Sequence, residues 1–172
     1  MKILITGTKG LAQELAFVYA DYAVACVSKS TGHDINKIDE WGVDFLEYDL
    51  VFNCAYDGVG QQLVLDYFYH HWHFIPEKSI ITIGSKIITQ PRSEIALNNN
   101  YWPYRIHKQT LQTMHDSMWP TACCDLKIIN PGPFNSDTVS HLVVPKLGLY
   151  ELAIYIKKIA SDPIIKRVDL WL

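Results

Sequence analysis

The chain has 172 residues, 49% of them hydrophobic and 19% charged, which suits one folded domain and excludes a disordered chain. Its formal net charge of −3, with no lysine- or arginine-rich run, excludes nucleic acid and an anionic membrane surface as partners. No apolar run has the length of a membrane span, and Met1 to Gly7 is too short for a secretory signal, so the expected location is the cytoplasm.

Residues 2–6 form a short apolar run that ends at a glycine, which predicts a buried strand. Residues 10–22 carry Leu11, Leu15, Val18 and Tyr19 at helical spacing. A second strand is expected over 23–28, and the short polar stretch 31–35 reads as the stub of a third. Residues 37–48 are expected to be helical through Ile38, Trp41, Phe45 and Leu46, followed by a strand over 50–55. Helix is expected again over 61–74, strand over 79–84, and helix over 104–119, halted by Pro120. A strand over 125–129 stops at Asn130-Pro131-Gly132-Pro133, a helix covers 149–160, and 167–171 is the last strand. Fully apolar strands alternating with helices give an α/β fold, a doubly wound parallel sheet with helices on both faces. Such a sheet binds ligands at the carboxyl ends of its strands, so the residues just after each strand matter most. Cys26, Cys54, Cys123 and Cys124 lack C-x-x-C spacing and are expected to be buried free thiols.

After the first strand comes Thr6-Gly7-Thr8-Lys9-Gly10-Leu11-Ala12. A sharp turn into a helix, with glycines that let backbone approach closely, is the pattern of a phosphate-binding loop; a purely structural turn is the alternative. Gly7, Thr8, Lys9, Gly10 and Leu11 are the candidate phosphate residues. A site for NAD places an acidic residue about 20 residues on. Here the second strand ends in Ser28-Lys29-Ser30, one charge between two hydroxyls, which suits a ribose 2′-phosphate and favours NADP(H) over NAD(H); a solvated turn is the alternative.

Four further stations stand at strand ends: Asn53-Cys54-Ala55, Gly84-Ser85, Tyr104 with Lys108 four residues on, and Asn130-Pro131-Gly132 with Ser136 beyond. In this order the set resembles the short-chain dehydrogenase/reductase family over residues 2–136. The resemblance implies a single Rossmann-like NAD(P)-binding domain over 1–172. It also implies that Ser85, Tyr104 and Lys108 are catalytic. Tyr104 would exchange a proton with the substrate oxygen, Ser85 would hold that oxygen, and Lys108 would lower the phenol's pKa and bind the nicotinamide ribose. Asn53 and Ala55 would line the cofactor, Asp34 would reach the adenine, Pro131 and Gly132 would pass under the nicotinamide, and Ser136 would lie near its carboxamide or the phosphates.

The chain departs from the family pattern in four places. The glycine loop is one residue shorter, with Ala12 where a glycine is usual, and the second helix and third strand are abbreviated. No asparagine lies in the helix before the Ser85 strand, so a proton relay is missing there or Gln61 or Gln62 replaces it. Residues 138–148 leave little room for a substrate region. The expected function is carbonyl reduction, or the reverse alcohol oxidation, on an unknown small molecule. The alternative is a catalytically weak nucleotide-binding regulator or scaffold. Tyr67, Phe68, Tyr69, Trp72 and Phe74 make the 61–74 helix aromatic, either as core or as the interface of a homodimer or homotetramer. His70, His71 and His73 point around the helix and are not expected to bind metal.

Overall fold

Six short runs form one parallel sheet in the computed structural model, which describes residues 1–41, 47–90, 101–134 and 146–170. The strands are β1 (Lys2–Thr6), β2 (Ala23–Val27), β3 (Leu50–Asn53), β4 (Ser79–Ile83), β5 (Asp125–Pro131) and β6 (Arg167–Leu170), in the spatial order β2-β1-β3-β4-β5-β6. Every neighbouring pair is parallel. The helices are α1 (Leu11–Val18), α2 (Gly60–Trp72), α3 (Tyr101–Met118) and α4 (Leu149–Ala160).

The two faces of β1 show why its sequence is apolar throughout. Side chains alternate across a strand. Ile3 and Ile5 enter one cluster with Leu15 of α1 and Ile156 of α4, while Leu4 enters another with Phe68 and Trp72 of α2 and Leu111 of α3. Helices therefore cover both faces, as expected for a doubly wound sheet. The strand order reverses at β1 and β3, and the crevice at their carboxyl ends is the ligand position of this architecture.

A charge is buried at the centre of β5. Lys127 is fully buried, and its ammonium donates to the carbonyls of Ile159 (3.1 Å), Ala160 (2.8 Å) and Asp162 (2.7 Å) at the end of α4. Asp125 Oδ2 lies 2.7 Å away. The last carbonyls of a helix lack intrahelical partners, so this lysine ties α4 to the sheet.

The expected third strand does not form. Lys29–Thr31 and Ile35–Glu40 are 3₁₀ turns, and β2 is the edge of the sheet. Local polar side chains take the backbone groups that a strand would pair. Thr31 Oγ1 accepts from Ser28 N–H at 2.8 Å, Asp34 Oδ1 accepts from Asn36 N–H at 3.0 Å, and Gly32 takes a φ of 85°. Of the helix expected over 37–48, residues 42–46, with Phe45 and Leu46, lie outside the described residues; its start belongs to a 3₁₀ turn over 35–40, kinked at Lys37, and Ile38 and Trp41 are buried as expected. The first helix stops at Val18 rather than 22, α3 starts at Tyr101 rather than 104, and β5 continues through Pro131 to pair with β6. Pro103 sits in the first turn of α3, where its missing N–H costs no helix bond. The cysteines are free, but Cys123 is exposed rather than buried and only Cys124 is fully enclosed.

Candidate active site

The crevice begins at the turn after β1. Gly7 has a φ of 109°, and its N–H donates to Val27 O at 2.6 Å. A Cβ at Gly7 would stand 3.0 Å from the Cβ of Ala12, so both the φ and the packing of α1 require glycine. Gly10 precedes α1 with a φ of 58°, and a Cβ there would meet nothing within 4 Å. This open space lies at the amino end of α1, where unpaired N–H groups favour a phosphate. Thr8 borders the turn, Lys9 is exposed, and the Leu11 side chain is buried in the core, which leaves only its backbone for a ligand. Thr6 was not singled out from sequence. It is fully buried, and its Oγ1 accepts from the N–H groups of Cys54 (2.9 Å) and Ala55 (3.0 Å), clamping the ends of β1 and β3 together. A threonine closing an apolar strand directly before glycine was the available signal.

At the β2 end, Thr8 Oγ1 donates to Ser28 Oγ at 3.3 Å, and Ser28 Oγ lies 2.8 Å from Ser30 Oγ. Lys29 Nζ stands 3.2 Å from Asp34 Oδ2. The Asn36 N–H and then Lys29 hold the Asp34 carboxyl below the usual carboxylate range. A cleft of about 230 Å³ is lined by Ser28, Lys29, Asp34, Ala55, Tyr56 and Asp57. The structure thus gathers Ser28, Lys29, Asp34 and Ala55, with Ser30 joined through Ser28.

At the other end, positions four apart bring Tyr104 and Lys108 to one face of α3. The Ser85 side chain lies close enough to the Tyr104 hydroxyl to lower its pKa. Lys108 is buried, with Nζ 5.5 Å from the centre of the Tyr104 ring. Its ammonium donates to Gln61 Oε1 (2.7 Å) and Ile83 O (2.8 Å). Gln61 Nε2 donates to Asn53 O and Ile83 O, both at 2.8 Å, and Asn53 Nδ2 returns a bond to Gln61 O at 2.7 Å. Gln61, and not Gln62, therefore stands beside the lysine; Gln62 instead donates to His107 O. Asn53 is fully buried, and its Oδ1 has no partner.

Burial sets the electrostatics. Desolvation pushes the Tyr104 hydroxyl up to about 12, against the lowering influence of Ser85, and pushes the Lys108 ammonium down to about 7. The Lys108 ammonium is directed at Gln61 and Ile83, and burial is the largest influence on the Tyr104 hydroxyl.

Ser85 is held by its backbone. Its N–H donates to Asn130 Oδ1 at 3.1 Å, and its Oγ accepts from Ile87 N–H at 3.4 Å. Asn130 is fully buried, and its Nδ2 donates to Gln112 Oε1 and Asp169 Oδ1, both at 2.9 Å. A Cβ on Gly84 would fall 1.8 Å from Asn130 Oδ1, so the glycine makes room for the carboxamide that fixes Ser85. Pro131 and Gly132 lie beside β6, with Gly132 N–H on Leu170 O at 3.1 Å. Ser136 lies outside the described residues.

Tyr56 was also missed from sequence. Its ring meets Tyr104 edge-on at 4.8 Å, lies 5.6 Å from Lys108 Nζ, and its hydroxyl is 3.0 Å from His107 Nδ1. Of the aromatic cluster on α2, Phe68 and Trp72 are core, Tyr67 and Tyr69 pack against it, and Phe74 is exposed. His70, His71 and His73 each direct Nδ1 to a carbonyl one turn back.

No family model and no curated protein sequence matches the chain. Solved structures do. The 3-alpha-hydroxysteroid dehydrogenase from Pseudomonas sp. B-0831, complexed with NADH, is 15% identical with a TM-score of 0.73, over 98% of this chain and 95% of that one. A short chain dehydrogenase from Burkholderia cenocepacia J2315 in complex with NADP is 11% identical with a TM-score of 0.75, over 100% and 90%. A short-chain dehydrogenase/reductase from Vibrio parahaemolyticus is 14% identical with a TM-score of 0.70, over 98% of each chain. The chain has the fold of short-chain dehydrogenases/reductases.

Proposed function

We propose that the protein is a NAD(P)(H)-dependent oxidoreductase of the short-chain dehydrogenase/reductase type, reducing a carbonyl or oxidising the corresponding alcohol. The observation that carries this reading is the meeting of Ser85, Tyr104 and Lys108 at one end of a crevice whose other end is the glycine turn. The residues fit a dinucleotide. Gly10 leaves space at the start of α1, the 230 Å³ cleft accepts the adenosine end, and the unpaired Oδ1 of Asn53 is a buried acceptor between the two ends. The nicotinamide supplies or accepts the hydride. In the reducing direction Tyr104 gives its proton to the carbonyl oxygen, and the Ser85 hydroxyl donates to the same oxygen and fixes it. Lys108, titrating near neutrality, restores the Tyr104 proton, while Gln61 keeps its ammonium in place. Ser28, Lys29 and Ser30 favour NADP(H), since Lys29 is largely exposed and free to turn from Asp34 to a 2′-phosphate. Assembly into a homodimer through α2 and α3 belongs to the same reading, with Leu63 and Ile106 exposed on those helices.

One observation favours the regulator alternative. Leu147 N–H donates to Pro133 O at 3.0 Å, so the chain that leaves β5 is back beside it by residue 147, after a short stretch of sequence. Titration with NADPH and NADH, followed by emission from the reduced nicotinamide, separates the two when coupled to an aldehyde screen. Binding of both nucleotides, tighter for NADPH, together with aldehyde-dependent loss of the reduced form, is the expected result. Binding without turnover leaves the regulator, and no binding removes both.

A further inference from the structure

Arg105 follows Tyr104 on α3 and takes no part in the machinery above. It is half-buried, and its Nη1 is fully enclosed without a hydrogen-bond partner. Nη2 donates only to Ile88 O, at 3.4 Å, and the guanidinium lies 5.6 Å from the centre of the Trp102 ring. No ion pair to Arg105 is formed among the described residues. An enclosed cationic donor without an acceptor is costly, and such a group persists where a ligand completes it.

The helix geometry says where that ligand sits. Arg105 and Gln112 are seven apart, two turns along one stripe of α3. Gln112 meets Asn130 at the carboxyl end of β5. The same helix runs outward from there through Lys108 at Ile83 O and Tyr104 at Ser85. Arg105 therefore stands roughly 10 Å beyond Gln112, past the end of β5. It borders the 86–89 turn that Ser85 caps, through its bond to Ile88 O. Arg105 thus stands beside both groups proposed to hold a carbonyl oxygen, next to Tyr104 in the chain and against the turn that Ser85 caps.

We propose that the carbonyl substrate carries an anionic group, a carboxylate or a phosphate, and that Arg105 binds it while Ser85 and Tyr104 hold the carbonyl oxygen. The planar fork of the guanidinium matches either anion, and the Trp102 ring offers an apolar wall beside it. This rests on the reductase reading.

The test is NADPH-dependent reduction of three aldehydes that share one ring: 4-carboxybenzaldehyde, 4-formylphenyl phosphate and methyl 4-formylbenzoate. At least one anionic aldehyde is expected to exceed the neutral ester by about tenfold or more in kcat/KM, through KM, and the better of the two identifies the anion. In Arg105→Gln the ratio falls to near one, and Arg105→Lys retains part of it. An ester as good as both anions, or a preference that survives Arg105→Gln, overturns the proposal. If no aldehyde is reduced, the reductase reading falls, and calorimetric titration with benzoate and phenyl phosphate decides the Arg105 site by itself. Binding lost in Arg105→Gln then upholds the anion site, and absent or unaltered binding removes it.

Discussion

The two ends of the crevice are built differently. At the Ser85–Tyr104–Lys108 end, Asn53, Gln61 and Lys108 are buried and bonded to one another or to backbone groups of β3 and β4, and buried Asn130 holds the Ser85 N–H. At the β2 end, Ser28, Lys29, Ser30 and Asp34 lie on an edge strand and two 3₁₀ turns, and their contacts are largely local. A buried network fixes positions and shifts pKa values, while an exposed edge can reorganise around a ligand at little cost. The rigid end suits chemistry and the open end suits recognition.

The sharpest break in that division is at the rigid end. Tyr104→Phe removes the proposed proton donor and leaves the ring against Tyr56, so turnover is expected to fall about 10²–10⁴-fold while NADPH binding changes far less. Turnover retained in this variant removes Tyr104 from the mechanism. The next effect is on stability. The Lys108 ammonium titrates near 7 in the folded protein against 10.5 for the ordinary lysine. Between these values the unfolded chain holds more protons, so this group makes stability rise with pH from about 7 toward 10.5, and its contribution is flat below 7. Relative to Lys108→Met, the wild type is expected to gain roughly 2–3 kcal/mol between pH 7 and pH 9, read by urea unfolding at each pH. Parallel curves would mean that the lysine keeps its water.

Gly84 shows how much of this was legible in sequence. Strand ends and glycine positions pointed to Ser85, Tyr104, Lys108 and the glycine turn after β1, because apolar periodicity and helical spacing are local signals. The parts that hold them were not legible. Nothing near Asn130 in sequence indicates that its carboxamide occupies the space of a Gly84 side chain, or that Gln61 reaches Lys108 across α2 and α3. Thr6 and Tyr56 act through partners 46 or more residues away. The missing third strand was a local error of another kind, since Thr31 and Asp34 offered turn chemistry that outweighed a short polar run. Gly84→Ala is expected to displace Asn130 and cost about 2 kcal/mol, a Tm loss of roughly 4–8 °C. Gly10→Ala, with open space at its Cβ, pays only for its φ of 58° and is expected to lose about 1 kcal/mol.

The smallest effect belongs to the open end. Asp34 both caps the 35–40 turn through Asn36 N–H and holds Lys29 at 3.2 Å. Asp34→Asn keeps an oxygen for the cap and removes the charge that competes for the lysine. The freed ammonium then meets a 2′-phosphate with Asp57 as its remaining acidic neighbour in the cleft, so NADPH is expected to bind about threefold to tenfold more tightly, with NADH nearly unmoved. The gain should shrink in high salt, because the pair is exposed. A loss of NADH affinity alone would mean that Asp34 itself holds the ribose hydroxyls, which would reverse the proposed preference. The two outcomes separate in one titration because the substitution changes charge at the cleft without disturbing Ser85, Tyr104 and Lys108 at its far end.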